Sequence, residues 1–443
     1  MKKIISLLFA FIFMCINVQA KNQKVDFRSI IRDSGINNDS ISVSIRDAEN
    51  GKIVYALNDK IMMNPASVQK VITMTAAYNE LGEDYKFSTE LYSRGNDNYL
   101  IKLSGDPYLK YSDLKTLTKR IEIGAKNIFV DDSILDNTIW GEGWQWDDDL
   151  NPLMQKFGAY NLDKNLIKII FTPSKIGEYA QISNPSKYPY AFINNVKTSD
   201  STNVDVKRNP MSHDNTIKFE GTISRQTIIN IPSNNIKRYF EIRLTQALEE
   251  NRVYLKTPFA NKKKNPNDII MSTIEHDLKS ALIDILKNSN NMVAETVFKL
   301  AGGHRYSETG SAKLGIKMFN DFCKSKNIDY SSINITDGSG VSKNNLLSAD
   351  FISQFLFVNK NEKIMDFLPH PGEGTLTQRM LPIKESLKAK TGTLAGVSSI
   401  AGFLTTKRGH KYAFCIIQND VKLSDTDKKA LEDYIIREAY FKL

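Results

Sequence analysis

A serine and a lysine, three residues apart at the start of an apolar helix near the amino terminus, constrain this chain most strongly. The stretch Asn64-Pro65-Ala66-Ser67-Val68-Gln69-Lys70 continues through apolar residues to Leu81-Gly82. Proline fixes an extended entry, serine suits a helix amino terminus, and glycine suits the left-handed cap that ends a helix. The spacing places Ser67 and Lys70 on one face of the first turn. A serine there is a candidate nucleophile, and a lysine kept neutral by burial or by a second cation can be its base.

The periodicity at the two ends of the chain predicts a sheet against which this helix packs. Residues 40–45 alternate polar and apolar, Asn50-Gly51 is a hairpin turn, and residues 53–55 return as a second strand. Near the carboxyl terminus, apolar runs at 397–404 and 412–417 precede an amphipathic helix. We therefore expect an α/β (α+β) fold, in which an antiparallel sheet flanked by helices is assembled from both ends and the middle is an insertion.

Ser-x-x-Lys alone is not specific, because the chain contains a second copy. Ser112-Asp113-Leu114-Lys115 is followed by a stripe of Leu114, Leu117 and Ile121. We interpret Ser112 as the N-cap of an amphipathic helix, since serine is a common cap. Other motifs must decide whether Ser67 carries chemistry.

Two further motifs follow in chain order. Ser289-Asn290-Asn291 lies in a tight break between two strong helical patterns, and Lys390-Thr391-Gly392 lies just before a strand. Ser-x-Asn occurs elsewhere in the chain, whereas Lys-Thr-Gly occurs once, with a glycine that allows close approach of a ligand to the backbone. The three motifs together, in this order and these contexts, are much more specific than any one of them.

This set resembles the penicillin-recognising serine enzymes, a group that includes DD-peptidases, penicillin-binding proteins and serine β-lactamases. The long gap between Ser67 and Ser289 resembles, more narrowly, the penicillin-binding protein 4 family, the class C low-molecular-mass D-alanyl-D-alanine carboxypeptidases/endopeptidases. Further matches are Ser104-Gly105-Asp106-Pro107, Asp337-Gly338-Ser339-Gly340 and Gly372-Glu373-Gly374-Thr375-Leu376. Asn290 departs from the aspartate that this family often has. The resemblance implies a transpeptidase/β-lactamase-like domain with a large insertion between the first two motifs.

The resemblance also implies the catalytic roles. Ser67 would attack the D-Ala-D-Ala carbonyl and form an acyl-enzyme, and Lys70 would accept its proton, held partly neutral by Lys390. Ser289 would relay the proton to the leaving amine, although capping a helix is its alternative role.

The remaining site residues are implied as substrate-binding. Asn291 would hold the peptide backbone of the substrate, and Lys390 and Thr391 would bind the terminal carboxylate. Gly392 belongs to the same motif, and the backbone N–H of Thr393 would complete an oxyanion hole with that of Ser67. No cofactor and no metal are needed. We assign no chemistry to the loops at 337–340 and 372–374.

Length and termini predict how the chain is organised. A chain of 443 residues is too long for one ordinary core. Residues 1–20 have a basic head, an apolar run and a small-residue cleavage site after Ala20, which is typical of a signal peptide. We expect a peptidase domain at 21–86 and 262–443, an inserted domain at 87–173 and 216–261, and a smaller insert at 174–215. The mature protein is then periplasmic or at the cell surface, soluble or peripherally associated with the membrane.

The composition limits the kinds of partner that the protein is expected to bind. Loss of Lys2 and Lys3 takes the formal charge from +9 to +7, and the lysine run at 262–264 lacks the interleaved aromatics of a nucleic-acid site. Cys323 and Cys415 are as compatible with two buried thiols as with one bridge, and the histidines lack metal-ligand spacing. The expected partners are peptidoglycan peptides that end in, or are crosslinked through, D-Ala, with β-lactams as inhibitors and no nucleic acid.

Two alternative functions remain at this point. One is a serine β-lactamase or esterase of the same fold, against which stands the lack of a Glu-x-x-x-Asn stretch between Ser289 and Lys390. The other is a non-catalytic wall-binding protein, against which stand the intact Ser67, Lys70 and Lys390.

Overall fold

The computed structural model describes residues 26–208 and 215–443, so the expected signal peptide lies outside the described residues. The helices of the described ranges are α1 (Arg28–Asp33), α2 (Gln69–Leu81), α3 (Tyr111–Thr118), α4 (Ile236–Glu250), α5 (Leu278–Asn288), α6 (Asn291–Tyr306), α7 (Ala312–Ser325), α8 (Ala349–Val358) and α9 (Asp425–Lys442). The strands are β1 (Ile41–Asp47), β2 (Ile53–Leu57), β3 (Lys86–Gly95), β4 (Asn98–Lys102), β5 (Asn127–Asp131), β6 (Leu166–Thr172), β7 (Gln181–Ser183), β8 (Ala191–Thr198), β9 (Asn203–Lys207), β10 (Thr216–Ile223), β11 (Thr227–Pro232), β12 (Ala260–Asn261), β13 (Ile269–Asp277), β14 (Leu387–Leu394), β15 (Val397–Thr405) and β16 (Lys411–Asn419).

The central sheet is antiparallel and joins both ends of the chain, which confirms the predicted fold class. Its strand order is β14-β15-β16-β1-β2. Strand β1 pairs with β16 in a register that sets Ile41 opposite Gln418 and Ile45 opposite Phe414. Since β1 precedes the Ser67 helix and β14 carries Lys390, this pairing brings the two ends of the sequence to one sheet.

Both faces of the sheet are covered, which explains why β1 is buried along most of its length. Ile41, Val43 and Ile45 belong to one hydrophobic core, which also contains Ile31 of α1 and Ile435 of α9. The opposite face of β1 lies against α8, where the buried hydroxyls of Ser44 and Ser353 are 2.9 Å apart. A sheet between two helical layers is one of the stable layer architectures, and it includes β14, the strand that carries Lys390.

Helix α2 lies in the interior of the molecule, since residues 69–77 are all buried. A helix that is buried all round belongs to a core, here one shared with α5, α6 and α7. It ends as the sequence predicts, at Gly82 with φ +82°, whose N–H donates to the carbonyl of Tyr78. The polar side chains of its first turn are therefore surrounded by protein.

The chain leaves the group of helices around α2 after Tyr85 and returns to it at Leu278, whose backbone N–H donates to the Tyr85 carbonyl at 3.0 Å. Between these points lies a second five-stranded sheet, in the order β12-β5-β4-β3-β13. Residues 262–277, which the sequence analysis assigned to the peptidase domain, include β13, which pairs with β3. We propose that the inserted region extends from residue 86 to residue 277.

The smaller insert also contains strands that lie outside its expected bounds, residues 174–215. Strand β10 pairs with β8 and β9 in one three-stranded sheet, and β11, β6 and β7 form another. Phe171 and Phe219, one from each sheet, stack edge to face at 5.0 Å between ring centroids. We propose that this unit spans residues 166–232.

The structure overturns one local prediction and decides between the two alternatives left open for the cysteines. The N-cap prediction for Ser112 is wrong, because α3 begins at Tyr111 and the Asp113 carboxylate accepts from the Lys110 N–H at 2.8 Å. Cys323 and Cys415 are both buried free thiols. Within the described residues, none of the helices combines the length and the apolar character that crossing a bilayer requires.

Candidate active site

Ser67 lies in a 3-10 turn, residues 66–68, which leads directly into α2. The turn starts with Ala66 at φ +46°, a left-handed conformation that is uncommon for a residue with a side chain. Asn64 stabilises it by accepting from the Ala66 N–H at 2.9 Å and donating to the Ser342 carbonyl at 3.0 Å. Strained backbone of this kind often marks a functional site. The result is a nearly buried serine, 9% exposed, at a fixed position.

Lys70 is fully buried and its amine has three neighbours. The nitrogen lies 2.9 Å from the Ser67 hydroxyl, 2.6 Å from Asn291 Oδ1 and 2.7 Å from the Ser339 carbonyl oxygen. A neutral amine has two N–H groups and one lone pair. Asn291 Oδ1 and the Ser339 carbonyl are acceptors, so they take the two N–H groups, and the lone pair is left facing Ser67.

The environment of Lys70 also lowers its proton affinity. Burial lowers the pKa of Lys70 to about 7, although the charges of Asp337 and Glu295 act in the opposite direction. The sequence analysis expected Lys390 to keep Lys70 neutral, whereas burial is the main cause. At neutral pH a large fraction of Lys70 therefore carries the lone pair.

The Ser289 motif lies between α5 and α6. Ser289 has φ +61°, and Asn290, rather than Ser289, caps α6 by accepting from the Val293 N–H at 3.1 Å. The Ser289 side chain makes no hydrogen bond to any residue in the described ranges, and no described contact joins it to Ser67. Ser289 is therefore the left-handed C-cap residue of α5 and not the N-cap of α6, and its hydroxyl makes no hydrogen bond within the described residues.

Asn291 contacts the site directly. Its Nδ2 donates to the Leu153 carbonyl at 2.9 Å, which fixes the amide orientation and turns Oδ1 towards Lys70. The sequence analysis assigned Asn291 to the substrate backbone. In this structure its oxygen is engaged with Lys70, an interaction that connects the third residue of the second motif with the lysine of the first.

Strand β14 brings the third motif to the start of α2. Lys390 is fully buried and its amine donates to the Thr391 carbonyl at 2.8 Å. Burial, together with the charge of Lys70, holds the pKa of Lys390 well below its usual range. The Thr391 hydroxyl donates to that of Thr375 at 2.7 Å, whereas Thr393 is exposed.

Gly392 explains why this strand can approach so closely. A Cβ at this position would lie 2.9 Å from the backbone nitrogen of Ser67 and 2.4 Å from the Ser399 hydroxyl. Ser399 in turn donates to the Pro65 carbonyl at 2.6 Å. The glycine is therefore required for direct contact between β14 and the turn that carries Ser67.

The sequence analysis assigned no chemistry to the loop at 337–340, yet this loop forms one wall of the site. Besides the Ser339 carbonyl, which contacts Lys70, the Gly338 carbonyl accepts from the Thr73 hydroxyl at 2.7 Å. Asp337 anchors the loop by accepting five hydrogen bonds, whose donors are Gln69 Nε2, the N–H groups of Gly340 and Ser342, Asn345 Nδ2 and Trp144 Nε1. The resemblance to the family already included this loop. The contact with Lys70 could not be predicted, because it is made by a backbone carbonyl, which every residue has.

The fold and this arrangement define the class. A helix that presents Ser-x-x-Lys beside an antiparallel strand bearing Lys-Thr-Gly, with Ser-x-Asn between two helices, is the architecture of the penicillin-recognising serine enzymes. The chain belongs to the D-Ala-D-Ala carboxypeptidase 3 (S13) family, whose sequence model matches residues 22–439.

Individual relatives agree with this membership. The chain is 26% identical over 412 residues to the D-alanyl-D-alanine carboxypeptidase DacB of Haemophilus influenzae, covering 87% of this chain and 86% of that protein. The crystal structure of penicillin-binding protein 4 (dacB) from Haemophilus influenzae has the same fold, with a TM-score of 0.81 at 23% identity over 94% of this chain and 100% of that one. A crystal structure of that protein complexed with a β-lactam matches with a TM-score of 0.75, 23% identity and the same shares of both chains.

Proposed function

We propose that this protein is a serine D-alanyl-D-alanine carboxypeptidase and DD-endopeptidase, which cleaves peptidoglycan stem peptides or crosslinks through an acyl-enzyme on Ser67. The observation that carries the proposal is the Lys70 amine, 2.9 Å from the Ser67 hydroxyl and held by two acceptors on its other sides. This geometry matches a nucleophile with an adjacent general base. Family membership supplies the substrate class.

In the acylation step, the Ser67 oxygen attacks the carbonyl carbon between the two D-Ala residues as its proton passes to Lys70. Negative charge develops on the carbonyl oxygen, where the backbone N–H groups of Ser67 and Thr393 stabilise it by roughly 3 kcal/mol for each donor. Lys70 and Ser289 then return a proton to the leaving nitrogen as the peptide bond breaks. The terminal D-Ala departs, and the acyl group stays on Ser67 until water hydrolyses the ester.

The carboxylate of the terminal D-Ala requires a cationic site. Lys390 and Thr391 are proposed to provide it, because the buried Lys390 amine lacks a carboxylate partner among the described residues, and an approaching carboxylate favours the protonated form of that amine. A penicillin carries a carboxylate in a comparable position, so covalent inhibition by β-lactams follows from the same chemistry. The crystallised relative is described in complex with a β-lactam, which supports this part of the proposal.

The direct test is incubation of the purified protein with a D-Ala-D-Ala peptide and with crosslinked peptidoglycan, with the products read by mass. Release of free D-Ala, or of monomers from crosslinked dimers, is expected. A fluorescent penicillin separates the alternatives within the class: a label on Ser67 that lasts many minutes indicates a peptidase, and rapid turnover indicates a β-lactamase. Wall-fragment binding with no covalent adduct would contradict the proposal.

We also propose export through the signal peptide at residues 1–20, which places the mature enzyme with its substrate in the periplasm or at the cell surface. Its support is the sequence pattern alone. The mass of protein recovered from the envelope fraction checks it, because cleavage after Ala20 gives a chain that begins at Lys21.

The pH dependence of acylation follows from the pKa of Lys70. Only the neutral amine accepts the serine proton, and burial lowers its pKa to about 7. The acylation rate is therefore expected to be low in acid, to rise through about pH 7 and to level off above it, with roughly a hundredfold loss two pH units below the midpoint. Rate constants for a fluorescent penicillin across this range check the prediction. A midpoint near the usual lysine value of about 10 would contradict it.

A further inference from the structure

A buried carboxylate on α6 lies behind the lysine of the site. Glu295 is 1% exposed and four residues after Asn291, so both side chains project from one face of the helix. Its two oxygens accept from consecutive backbone N–H groups, those of Gly338 at 3.1 Å and Ser339 at 2.7 Å. Helix α6 thus reaches Lys70 in two ways, directly through Asn291 and indirectly through the backbone of Ser339.

We propose that Glu295 is a positioning residue, which holds the Lys70 amine beside Ser67 by fixing the backbone of Ser339. The Ser339 carbonyl is one of the two acceptors that take the N–H groups of Lys70. The direction of this carbonyl therefore decides where the lone pair points. The inference rests on the proposed function, since it gives Lys70 the role of proton acceptor.

The surrounding contacts show why a carboxylate suits this position. The peptide group between Ser339 and Gly340 is held at its other end by Asp337, which accepts from the Gly340 N–H at 2.8 Å. Glu295 fixes the two preceding N–H groups. A carboxylate accepts both, whereas an amide would turn its NH2 group towards one of these donors.

Charge gives Glu295 a second, measurable effect. The groups that face Lys70 are Lys390 on β14, Asp337 in the loop and Glu295 on α6, and the negative charge of Glu295 raises the pKa of Lys70. Burial and the nearby Asp337 raise the pKa of Glu295 itself. Lys299, one turn further along α6, is engaged with Asp136 at 2.5 Å and with the Thr138 carbonyl at 2.8 Å. Since the pKa of Glu295 is raised to about 7, its carboxyl group is partly charged in the range where Lys70 titrates, and removing that charge lowers the pH at which Lys70 loses its proton.

The test is the pH profile of penicillin acylation for Glu295→Gln in the full chain. We expect the limiting rate at high pH to fall about tenfold or more, as is typical when a hydrogen bond to a charged group is lost. We also expect the midpoint of the acid limb to move to lower pH. A merely structural role would reduce the folded fraction without moving this midpoint. A folded Glu295→Gln variant with the wild-type limiting rate and midpoint would overturn the inference.

Two further variants separate charge from loop anchoring. Glu295→Asp keeps the charge but shortens the reach, so its limiting rate should fall while its midpoint stays. Thr73→Val removes an uncharged anchor of the same loop, the hydroxyl that donates to the Gly338 carbonyl, and its midpoint should also stay. A shifted midpoint in Thr73→Val, or a wild-type limiting rate in Glu295→Asp, contradicts the inference.

If neither Glu295 variant folds, Glu295 is a folding residue and the inference is overturned. Failure of the proposed function is distinct, because it appears in the wild-type protein as the lack of an adduct on Ser67.

Discussion

Replacing Ser67 with alanine is expected to abolish both D-Ala release and the covalent penicillin adduct, lowering activity by at least about 10⁴-fold. The reason is that the acyl-enzyme has no oxygen on which to form, and no other described hydroxyl lies within hydrogen-bond distance of the Lys70 amine. The fold should survive, because the Ser67 hydroxyl makes a single hydrogen bond, to that amine. Product release and label incorporation, measured with equal amounts of folded protein, check the result.

The second Ser-x-x-Lys copy offers a matched control. Ser112 lies on α3, where its hydroxyl is 3.5 Å from the neighbouring Asp113 carboxylate. Ser112→Ala should keep wild-type activity and labelling, because α3 lies within the proposed inserted region and Ser112 contacts none of the site residues. D-Ala release by Ser67→Ala at the wild-type rate, or a loss of labelling in Ser112→Ala, would show that the nucleophile is misassigned.

Replacing Lys70 with alanine should slow acylation about a thousandfold while leaving Ser67 in place. General-base catalysis contributes about 10²- to 10⁴-fold, and the amine contacts the hydroxyl at 2.9 Å. The substitution also leaves Asn291 Oδ1 and the Ser339 carbonyl without their donor, at a stability cost of about 1–3 kcal/mol for each buried acceptor. Penicillin acylation rates, together with thermal unfolding to confirm the fold, measure both effects.

Lys115→Ala is the corresponding control, because Lys115 forms a partly exposed ion pair with Glu250 at 2.5 Å. Exposed pairs contribute roughly 0–1 kcal/mol, so this variant should retain both activity and most of its stability. If Lys70→Ala acylated as fast as Lys115→Ala, a group other than Lys70 would have to accept the proton.

Local patterns in the sequence were sufficient for the elements that carry the motifs. The helix after Ser67, the break at Ser289 and the strand after Lys390 are each marked by periodicity or by a glycine, and the structure contains all three. A sheet assembled from both ends of the chain was also predicted, because both ends show strand patterns next to helices, whereas the pairing of β1 with β16 was not. The motif-bearing elements themselves depend on residues close together in the sequence.

The rest depends on contacts between distant residues. Strand β13 follows a lysine-rich stretch, and its sequence Ile-Ile-Met-Ser-Thr-Ile-Glu-His-Asp lacks the polar/apolar alternation that marks a half-buried strand. Asn291 was predicted to hold substrate, and in the structure its Oδ1 contacts Lys70. The distant Leu153 carbonyl fixes the orientation of the Asn291 amide, because it accepts from Nδ2. One sequence feature could have identified Glu295 as a candidate site residue. It is a carboxylate in an otherwise apolar helical run, four residues after Asn291.

The pairing of the first strand with one of the last has a consequence for when activity can appear. During synthesis β1 emerges early, whereas β16, its partner along one whole edge, is among the last segments to be made. Contacts between such distant segments form late and slowly. Until they form, Ser67 and Lys390 belong to separate pieces of chain. A polypeptide truncated before residue 411 would lack that partner strand and stay inert, so hydrolytic competence arises only after β16 has been made and has paired with β1.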